Sequence, residues 1–326
     1  MKFSEKDENE PSADGQRGKQ AGTDAGKSGR ETPWEIYSGI LIKYTGGEKD
    51  VVVPDGVKMI ADRAFAGNEV LQSVVLPKGL ILISFGAFHS CKNLKSVTIS
   101  EGVKKIGSCA FSCCRNLAEI TIPDGVKVIG SQAFSDCRSL KTVSIPAEAE
   151  EIGMYAFDGC ESLETIVVPD GVKTIEPCTF GGCRSLRTIA LPDGIECIMD
   201  SAFCGCENLE SFALPVGVKY IGFMAFSECH SLKSVTISDE VKAIGPRAFS
   251  ECHGLESVTI PAGVKSIGEL AFLWCQNLKE VTICEGVEEI GRYAFYGCKN
   301  LKKVIMSHRP KMGKKVFPEG CEIVYR

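Results

Sequence analysis

Cysteine and histidine are the residues of this chain that are best suited to chemistry. The sequence contains 17 cysteines and 4 histidines in 326 residues. Thiolates bind soft metal ions and exchange disulfides, and imidazole is a common zinc ligand. These residues could therefore form a disulfide framework, a metal site or a redox site. Their spacing in the sequence indicates which of the three is favoured.

Eleven of the cysteines recur every 23 residues, in a series that Asn68 opens. If each interval is one coil of a stacked structure, neighbouring members lie about 5 Å apart with parallel side chains. Their Cβ atoms then stay farther apart than the ~3.5 to 4.5 Å that a disulfide needs. We therefore expect reduced, buried thiols with a structural role, which also favours a reducing compartment. This cysteine ladder consists of Cys91, Cys114, Cys137, Cys160, Cys183, Cys206, Cys229, Cys252, Cys275, Cys298 and Cys321.

The other cysteines and two of the histidines suggest metal binding only weakly. No Cys-x-x-Cys pair, the common spacing of structural zinc sites, occurs among the surplus cysteines. His230 and His253 occupy equivalent positions one repeat apart, so a metal ion held between them is one alternative. Other repeats carry Lys, Arg, Glu or Gln at this position, which favours an exposed polar column. We predict no metal site and no cofactor. The surplus cysteines are Cys109, Cys113, Cys178, Cys197, Cys204 and Cys284.

Catalytic motifs do not rise above chance in this sequence. It contains no recognisable pair of catalytic carboxylates, no Ser/His/Asp arrangement and no glycine-rich nucleotide loop that follows a strand. We therefore expect a protein that is not an enzyme. A metal- or redox-responsive protein that uses the surplus thiols and the paired histidines is the alternative.

Net charge and hydropathy limit the kinds of partner and the cellular locations that the sequence favours. The net charge of −5 gives no general attraction to a phosphate backbone or an anionic lipid, so nucleic acid is not a predicted partner. No stretch approaches the ~18 apolar residues of a membrane span, and the first residues do not resemble a signal peptide. We expect a cytoplasmic protein, with the cell surface or secretion as the alternative if the chain has been trimmed.

The same period of 23 residues governs the apolar residues. In the unit that begins at Cys91, Val97 and Ile99 alternate with polar residues, which indicates a short strand. Gly102 then marks a turn, and Phe111 follows within a recurring Ala-Phe pair. One column of core leucines comprises Leu71, Leu94, Leu117, Leu140, Leu163, Leu186, Leu209, Leu232, Leu255, Leu278 and Leu301. A column of core isoleucines comprises Ile60, Ile83, Ile106, Ile129, Ile152, Ile175, Ile198, Ile221, Ile244, Ile267 and Ile290.

A unit of this size buries its apolar residues only by stacking on its neighbours, so the sequence predicts a repeat solenoid. We expect it to be mainly β, with short 3₁₀ or helical turns. The pattern Cys-x-x-Leu-x-x-Val-x-Ile-Pro-x-Gly-Val-x-x-Ile-Gly-x-x-Ala-Phe resembles the leucine-rich repeats of the BspA-like, or Treponema pallidum, type. The resemblance covers residues 34–326. It implies a right-handed superhelix of about eleven to twelve coils and a binding or adhesion scaffold, and many members of that family are surface proteins.

The repeat boundaries divide the chain into four regions. Residues 1–33 contain few large apolar side chains and are predicted to form a disordered polar tail. Residues 34–60 are predicted to form the N-terminal cap and the strands that lead into the solenoid. The solenoid is expected over residues 61–305, and a C-terminal cap over 306–326, because a terminal coil would otherwise expose its core. We expect a monomer.

Departures from the consensus are the places where a repeat protein carries its specificity, and the predicted partner is a protein or a glycan. Val167, Ala190 and Ala213 follow one another in the exposed strand column, with Thr165, Thr188 and Ser211 beside them. Trp274 stands where other repeats place small or polar residues, and either binds a partner or packs over the coil edge. The predicted partner-binding residues are Thr165, Val167, Thr188, Ala190, Ser211, Ala213 and Trp274.

Overall fold

The structure, a computed structural model, describes residues 32–326. The predicted disordered tail over residues 1–33 falls, apart from its last two residues, outside the described part. The chain forms a β-solenoid of about 12 coils with repeats about 23 residues apart, which confirms the predicted fold class.

Two stacks of short parallel strands run the length of the solenoid. We call the stack of longer strands the strand face. It comprises β3 (Asp50–Val52), β5 (Ser73–Val75), β7 (Ser96–Thr98), β9 (Glu119–Thr121), β11 (Thr142–Ser144), β13 (Thr165–Val167), β15 (Thr188–Ala190), β17 (Ser211–Ala213), β19 (Ser234–Thr236), β21 (Ser257–Ile260), β23 (Glu280–Ile283), β25 (Lys303–Met306) and β27 (Glu322–Tyr325).

The second stack, here called the back sheet, is built almost entirely from strands of two residues. It comprises β2 (Ile40–Tyr44), β4 (Met59–Ile60), β6 (Leu82–Ile83), β8 (Lys105–Ile106), β10 (Val128–Ile129), β12 (Glu151–Ile152), β14 (Thr174–Ile175), β16 (Cys197–Ile198), β18 (Tyr220–Ile221), β20 (Ala243–Ile244), β22 (Ser266–Ile267), β24 (Glu289–Ile290) and β26 (Lys311–Met312). Strand β1 (Trp34–Tyr37) pairs antiparallel with β2 at the N-terminal edge.

The core between the two stacks consists of the columns that the sequence predicts. Every member of the leucine and isoleucine columns is buried. The phenylalanine of each repeat stacks on that of the next, as Phe88 does on Phe111 with ring centroids 5.1 Å apart and planes 3° from parallel. Thr179, which replaces the alanine of one Ala-Phe pair, is 1% exposed and its hydroxyl donates to the Glu176 carbonyl at 2.8 Å.

The segment around each Ala-Phe pair is a series of turns, and residues 32–326 contain no helix. Two residues of the coil around Phe111, Cys109 and Cys113, adopt left-handed backbone, with φ of 56° and 61°. An isolated left-handed residue ends a right-handed helix. The chain therefore forms consecutive turns closed by i to i+3 hydrogen bonds, such as Cys114 N to Phe111 O at 3.1 Å, where short helical turns were expected.

Aromatic residues extend the core at both ends of the stack. Trp34 and Tyr44 have ring centroids 4.6 Å apart, and Tyr44 packs on Phe65. At the other end Phe317 stacks on Phe295 at 5.4 Å. We therefore propose the two terminal regions, 34–60 and 306–326, as the caps of the solenoid.

The back sheet is interrupted once, between β12 and β14. The coils of β8, β10 and β12 carry a glycine directly after the strand, and a Cβ at Gly153 would lie 2.5 Å from the Ser131 nitrogen of the preceding coil. Glu176 occupies this position after β14 and brings a Cβ atom. A side chain here does not by itself break the ladder, because Met199 holds the same position after β16 and its backbone nitrogen donates to Ile175 O at 2.9 Å.

Candidate functional site

Small exposed residues form a strip in the middle of the strand face. Strands β13 and β15 pair in parallel, with Thr165 opposite Thr188 and Val167 opposite Ala190. All four side chains are exposed, Val167 to 66%. The intervening Ile166 points inward and is 3% exposed. The period-two alternation of a strand thus puts the predicted partner-binding residues of these two coils on the solvent side.

The third coil of the strip lies on β17, which pairs with β19 rather than with β15. Ser211 and Ala213 are exposed like their equivalents, and Phe212 between them is buried at 5%. Strands β15 and β17 are neighbours in the stack without a hydrogen-bonded ladder between them. We refer to Thr165, Val167, Thr188, Ala190, Ser211 and Ala213 together as the small-residue strip.

Charged residues of alternating sign border this strip. Arg187 lies 3.7 Å from Glu210, and Glu210 lies 3.5 Å from Lys233 in the following coil. Farther along, Lys279 donates to Glu256 at 2.9 Å. This hydrogen bond and the charge of Lys279 lower the pKa of Glu256. The border is therefore an ionised, internally paired column that carries little net charge.

A shallow pocket of about 250 Å³ opens within this charged border. Position 254 is a glycine where the other coils from Asn93 to Asn300 carry serine or asparagine, so one side chain is missing from the column. The walls offer hydroxyl, amide and charged groups, which suits a polar ligand group. This pocket was not predicted from the sequence, although Gly254 in a column of polar side chains is a signal that could have indicated it. Its lining residues are Glu210, Ser231, Lys233, Gly254, Glu256 and Asn277.

Trp274 lies away from the strip, in the turn that precedes the ladder cysteine. Its backbone is left-handed, with φ of 56°, at a position that other coils fill with Gly, Ser, Cys, Asp or Glu. The indole lies over the Cα of Gly297 in the next coil, where any Cβ would collide with it. The ring is nevertheless 45% exposed. Trp274 therefore packs on the coil edge with one face and offers the other to solvent.

The ladder cysteines point into the core and act as hydrogen-bond donors. The thiol of Cys114, for example, donates to the Phe88 carbonyl at 3.1 Å. The same bond, to the phenylalanine carbonyl 26 residues earlier, recurs from Cys91 to Cys298. Burial raises the pKa of the Cys91 thiol to about 12. These thiols are therefore protonated structural groups rather than nucleophiles.

Cys321, predicted as the last member of the ladder, departs from it. No further coil covers this residue, so it is only half-buried, and its thiol lies 3.8 Å from the Glu322 carbonyl. Asn68, at the other end, satisfies more backbone groups than a cysteine does. Its amide donates to Gly46 O at 3.3 Å, and its oxygen accepts from the backbone nitrogen of Leu71 at 3.0 Å.

The surplus cysteines are scattered and unbridged. All 17 cysteines lie within the described residues and are free thiols, and the six surplus ones are half-buried. Burial, followed by the Glu228 carboxylate, raises the pKa of Cys204 to about 11. Burial likewise raises the pKa of Cys178. Raised values mean that these thiols are poor nucleophiles at neutral pH, which does not favour a redox role.

One carboxyl group has a strongly shifted pKa. Burial, followed by repulsion from Asp136 one coil earlier, raises the pKa of Asp158 to about 6. The Asp136 carboxylate accepts from the Arg138 guanidinium at 3.1 Å, whereas Asp158 has no ion pair among residues 32–326. The sequence analysis did not single out this pair, since nothing in one repeat indicates burial of this position.

The two histidines that the sequence analysis paired do lie together. The rings of His230 and His253 stack with centroids 5.0 Å apart and planes 13° from parallel. Glu251, which the sequence analysis missed, lies beside them, and the three possible ligand atoms are within 4.8 Å of one another. The direction of the Glu251 side chain depends on its left-handed backbone, with φ of 62°, which the sequence does not reveal.

A known family of proteins shares the repeats described above. The profile of the BspA-type leucine-rich repeat region, a region of six copies, matches residues 43–164, 150–272 and 196–323. The chain belongs to the BspA-type leucine-rich repeat family. The resemblance inferred from the repeat pattern is thereby confirmed. A search among curated proteins gives no significant match.

Solved structures of bacterial leucine-rich repeat proteins share the fold of this BspA-type chain. A leucine-rich repeat protein from Bacteroides ovatus is 26% identical, with 91% of this chain and 79% of that chain covered and a TM-score of 0.71. The leucine-rich repeat protein of T. pallidum is 32% identical over 56% of this chain and 91% of that chain, with a TM-score of 0.53. The pneumococcal vaccine antigen PcpA is 20% identical over 87% of this chain and 85% of that chain, with a TM-score of 0.55, and is similar in fold alone.

Membership of the BspA-type family indicates a protein-binding scaffold, and leucine-rich repeat solenoids are typically not enzymes. The geometry agrees with this class, because the exposed columns present broad surfaces along a stack. Residues 32–326 contain no helix that could cross a membrane.

Proposed function

We propose that the protein is a non-enzymatic scaffold that binds another protein through the small-residue strip of its strand face. The exposure of Val167, Ala190 and Ala213 in successive coils is the observation that carries this proposal. The two flanking coils present the polar residues Ser144 and Thr236 at the same position. The strip is therefore a shallow apolar surface that a partner can approach closely.

The charged border supports a protein partner of mixed charge. Arg187, Glu210 and Lys233 are exposed and pair with one another at 3.5 to 3.7 Å. Exposed pairs of this kind contribute little to stability, about 0 to 1 kcal/mol, so a partner can exchange them at small cost. An apolar centre with a polar, charged rim is the usual anatomy of a protein interface.

Trp274 is proposed as a second contact on the coil edge. Tryptophan is enriched among the residues that dominate binding energy, and 45% of this side chain is available. Its left-handed backbone is shared by the equivalent residues of other coils, such as Cys113 and Glu251, so the support for this contact is the exposed indole rather than backbone strain.

A glycan is the second candidate ligand, and the pocket around Gly254 is the observation that favours it. Hydroxyl, amide and charged groups line this pocket, and such groups hydrogen-bond to sugar hydroxyls. A glycan array with wild-type protein and the Glu256→Gln variant would detect this mode. Under the protein-binding proposal, we expect no array signal that depends on Glu256.

The test compares two triple variants of the full chain as baits for chemical cross-linking in lysate of the native host. Val167→Asp, Ala190→Asp and Ala213→Asp place three carboxylates on the small-residue strip. Thr98→Asp, Thr121→Asp and Ser144→Asp, at exposed positions of the same column in three other successive coils, form the matched control. Circular dichroism and thermal melting establish that both variants are folded.

We expect the wild-type chain and the control to capture the same protein, and the strip variant to lose it. A partner that docks on the strip would have to bury carboxylates without counterions, which is strongly unfavourable. Equal capture by both triple variants would contradict the proposal. Loss of the partner with Trp274→Ala alone would move the binding surface to the coil edge.

A further inference from the structure

We propose that His230, Glu251 and His253 form a binding site for a divalent transition-metal ion that links two adjacent coils. His230 belongs to one coil, and Glu251 and His253 belong to the next. One ligand atom from each residue lies within 4.8 Å of the others, and all three side chains are half-buried at the surface. Two imidazoles and one carboxylate are a donor set that zinc, cobalt and nickel accept.

The hydrogen bond of His253 prepares its other nitrogen for a metal. Its Nδ1 lies 2.9 Å from the backbone carbonyl of Trp274. A carbonyl only accepts, so Nδ1 carries the proton of the neutral ring, and Nε2 keeps its lone pair. A backbone carbonyl behind a ligating histidine is the usual way in which proteins fix the tautomer and orientation of the ring.

Glu251 is an acidic group without an ion pair among residues 32–326. At the equivalent position of an earlier coil, Asp136 forms an ion pair at 3.1 Å with Arg138, which lies two residues farther along the chain. In the coil of Glu251 the corresponding basic residue is His253. A carboxylate that is neutralised by arginine in one coil therefore faces two imidazoles here, where a metal ion can supply the positive charge.

Metal binding requires a small closure of these side chains. Ligand nitrogens and oxygens in a tetrahedral site with bonds of about 2.0 to 2.1 Å lie about 3.3 Å apart. The two rings are nearly parallel, so each has to tilt toward the ion. Side chains at the surface can make such a tilt by a small change of their χ angles. Three protein ligands leave at least one position open for water or for a ligand group of a partner.

Cobalt(II) is the probe, because its spectrum distinguishes nitrogen and oxygen ligands from thiolates. Full-length protein without a histidine tag is titrated with CoCl₂ under reducing conditions and followed by visible absorption and calorimetry. We expect one equivalent to bind, with a visible ligand-field band and without a thiolate-to-cobalt charge-transfer band. His230→Gln, His253→Gln and Glu251→Gln are each expected to weaken binding by at least about tenfold.

Glu228→Gln is the matched control. Glu228 holds the position of Glu251 one coil earlier and has the same left-handed φ of 62°, but the coil before it carries Glu207 where His230 stands. We expect this variant to bind cobalt as the wild type does. The proposal is overturned if the wild type binds no cobalt, if a thiolate band shows that the cysteines hold it, or if the His230→Gln/His253→Gln double variant binds with wild-type affinity. Thermal melts show whether each variant is folded.

Discussion

The rings of Phe157 and Phe180 stack with centroids 5.8 Å apart, the widest step between successive phenylalanines of the described solenoid core. The other steps from Phe65 to Phe295 measure 4.6 to 5.5 Å. The same coil boundary separates β12 from β14 in the back sheet. Glu176 stands at this boundary, in the position that glycine fills in the three preceding coils.

The first prediction is that this boundary opens more readily than its neighbours. The backbone nitrogens of Lys173 and Glu176 have no carbonyl partner within residues 32–326. One coil later, Glu196 N donates to Lys173 O at 2.8 Å and Met199 N donates to Ile175 O at 2.9 Å. We expect amide hydrogen exchange to be faster at Lys173 and Glu176 than at Glu196 and Met199.

Glu176→Gly tests whether the Glu176 side chain contributes to this opening, because it restores the glycine of the three preceding coils. We expect the exchange at residues 173 and 176 to slow in this variant. Met199→Gly, which removes a side chain from the equivalent position one coil later, serves as the control and should leave exchange at residue 173 unchanged. Equal protection at all four wild-type amides would mean that Glu176 does not open the boundary.

The second prediction concerns the pH dependence of stability at Asp158. Burial and Asp136 raise its pKa to about 6, from the 3.8 of a free aspartate side chain. A carboxyl with a raised folded-state pKa favours folding when protonated, so this contribution is present at low pH and is lost as the pH rises from about 4 through about 6. Asp158→Asn keeps the shape and removes the titration.

We therefore expect Asp158→Asn to melt several degrees above wild type at pH 7.5 and close to wild type at pH 4. The side chain is only about half buried, so solvent screening keeps the gain small. Asp193→Asn, at an exposed turn, is the control substitution. A gain of the same size at both pH values would show that the difference does not arise from titration of Asp158.

Much of this fold could be predicted from the sequence, because each structural element recurs at a fixed interval. Burial of Leu186 or Ile175 follows from ten equivalent residues that share its environment. The single interruption of the back sheet, between β12 and β14, was not predictable from the repeat pattern, because the glycine after the strand is replaced both at Glu176 and at Met199, and the ladder between β14 and β16 is kept.

The candidate sites were harder to predict, because they depend on the direction of side chains at left-handed positions. Glu251 and Trp274 both stand in such positions, with φ of 62° and 56°. A left-handed residue projects its side chain differently from a residue in a strand or helix. Neither the proximity of Glu251 to His230 nor the contact of Trp274 with Gly297 could therefore be derived from spacing alone.

The third prediction is that the cysteines react in two groups. The ten ladder cysteines from Cys91 to Cys298 are buried, whereas Cys321 and the six surplus cysteines are half-buried. Burial also raises the pKa of ladder thiols such as Cys91 and Cys137, and the thiolate is the reactive species. Mass spectrometry after a brief maleimide pulse should find label on the half-buried thiols first and on the ladder only after unfolding. Rapid labelling of all 17 cysteines in the native protein would contradict a buried ladder.

The last prediction concerns the transmission of stability along the stack. Leu186 and Leu71 are both fully buried, but Leu186 lies near the middle of the solenoid and Leu71 near its N-terminal end. Truncation to alanine removes burial and leaves a cavity, which costs about 2 to 5 kcal/mol in a core. In a solenoid each coil is stabilised only by its neighbours, so a defect in the middle weakens the coupling of the two halves, whereas a defect near the end loosens the terminal coils.

We therefore expect Leu186→Ala to lower the midpoint of denaturant unfolding more than Leu71→Ala, which should instead add an early transition of small amplitude. Leu186→Met, which conserves volume, is the control and should cost less than about 1.5 kcal/mol. Circular dichroism measures the whole stack, and hydrogen exchange of the first coils reports whether Leu71→Ala opens them selectively. Equal midpoints for the two alanine variants, with no selective opening at the N-terminal end, would show that the stack unfolds as one cooperative unit rather than coil by coil.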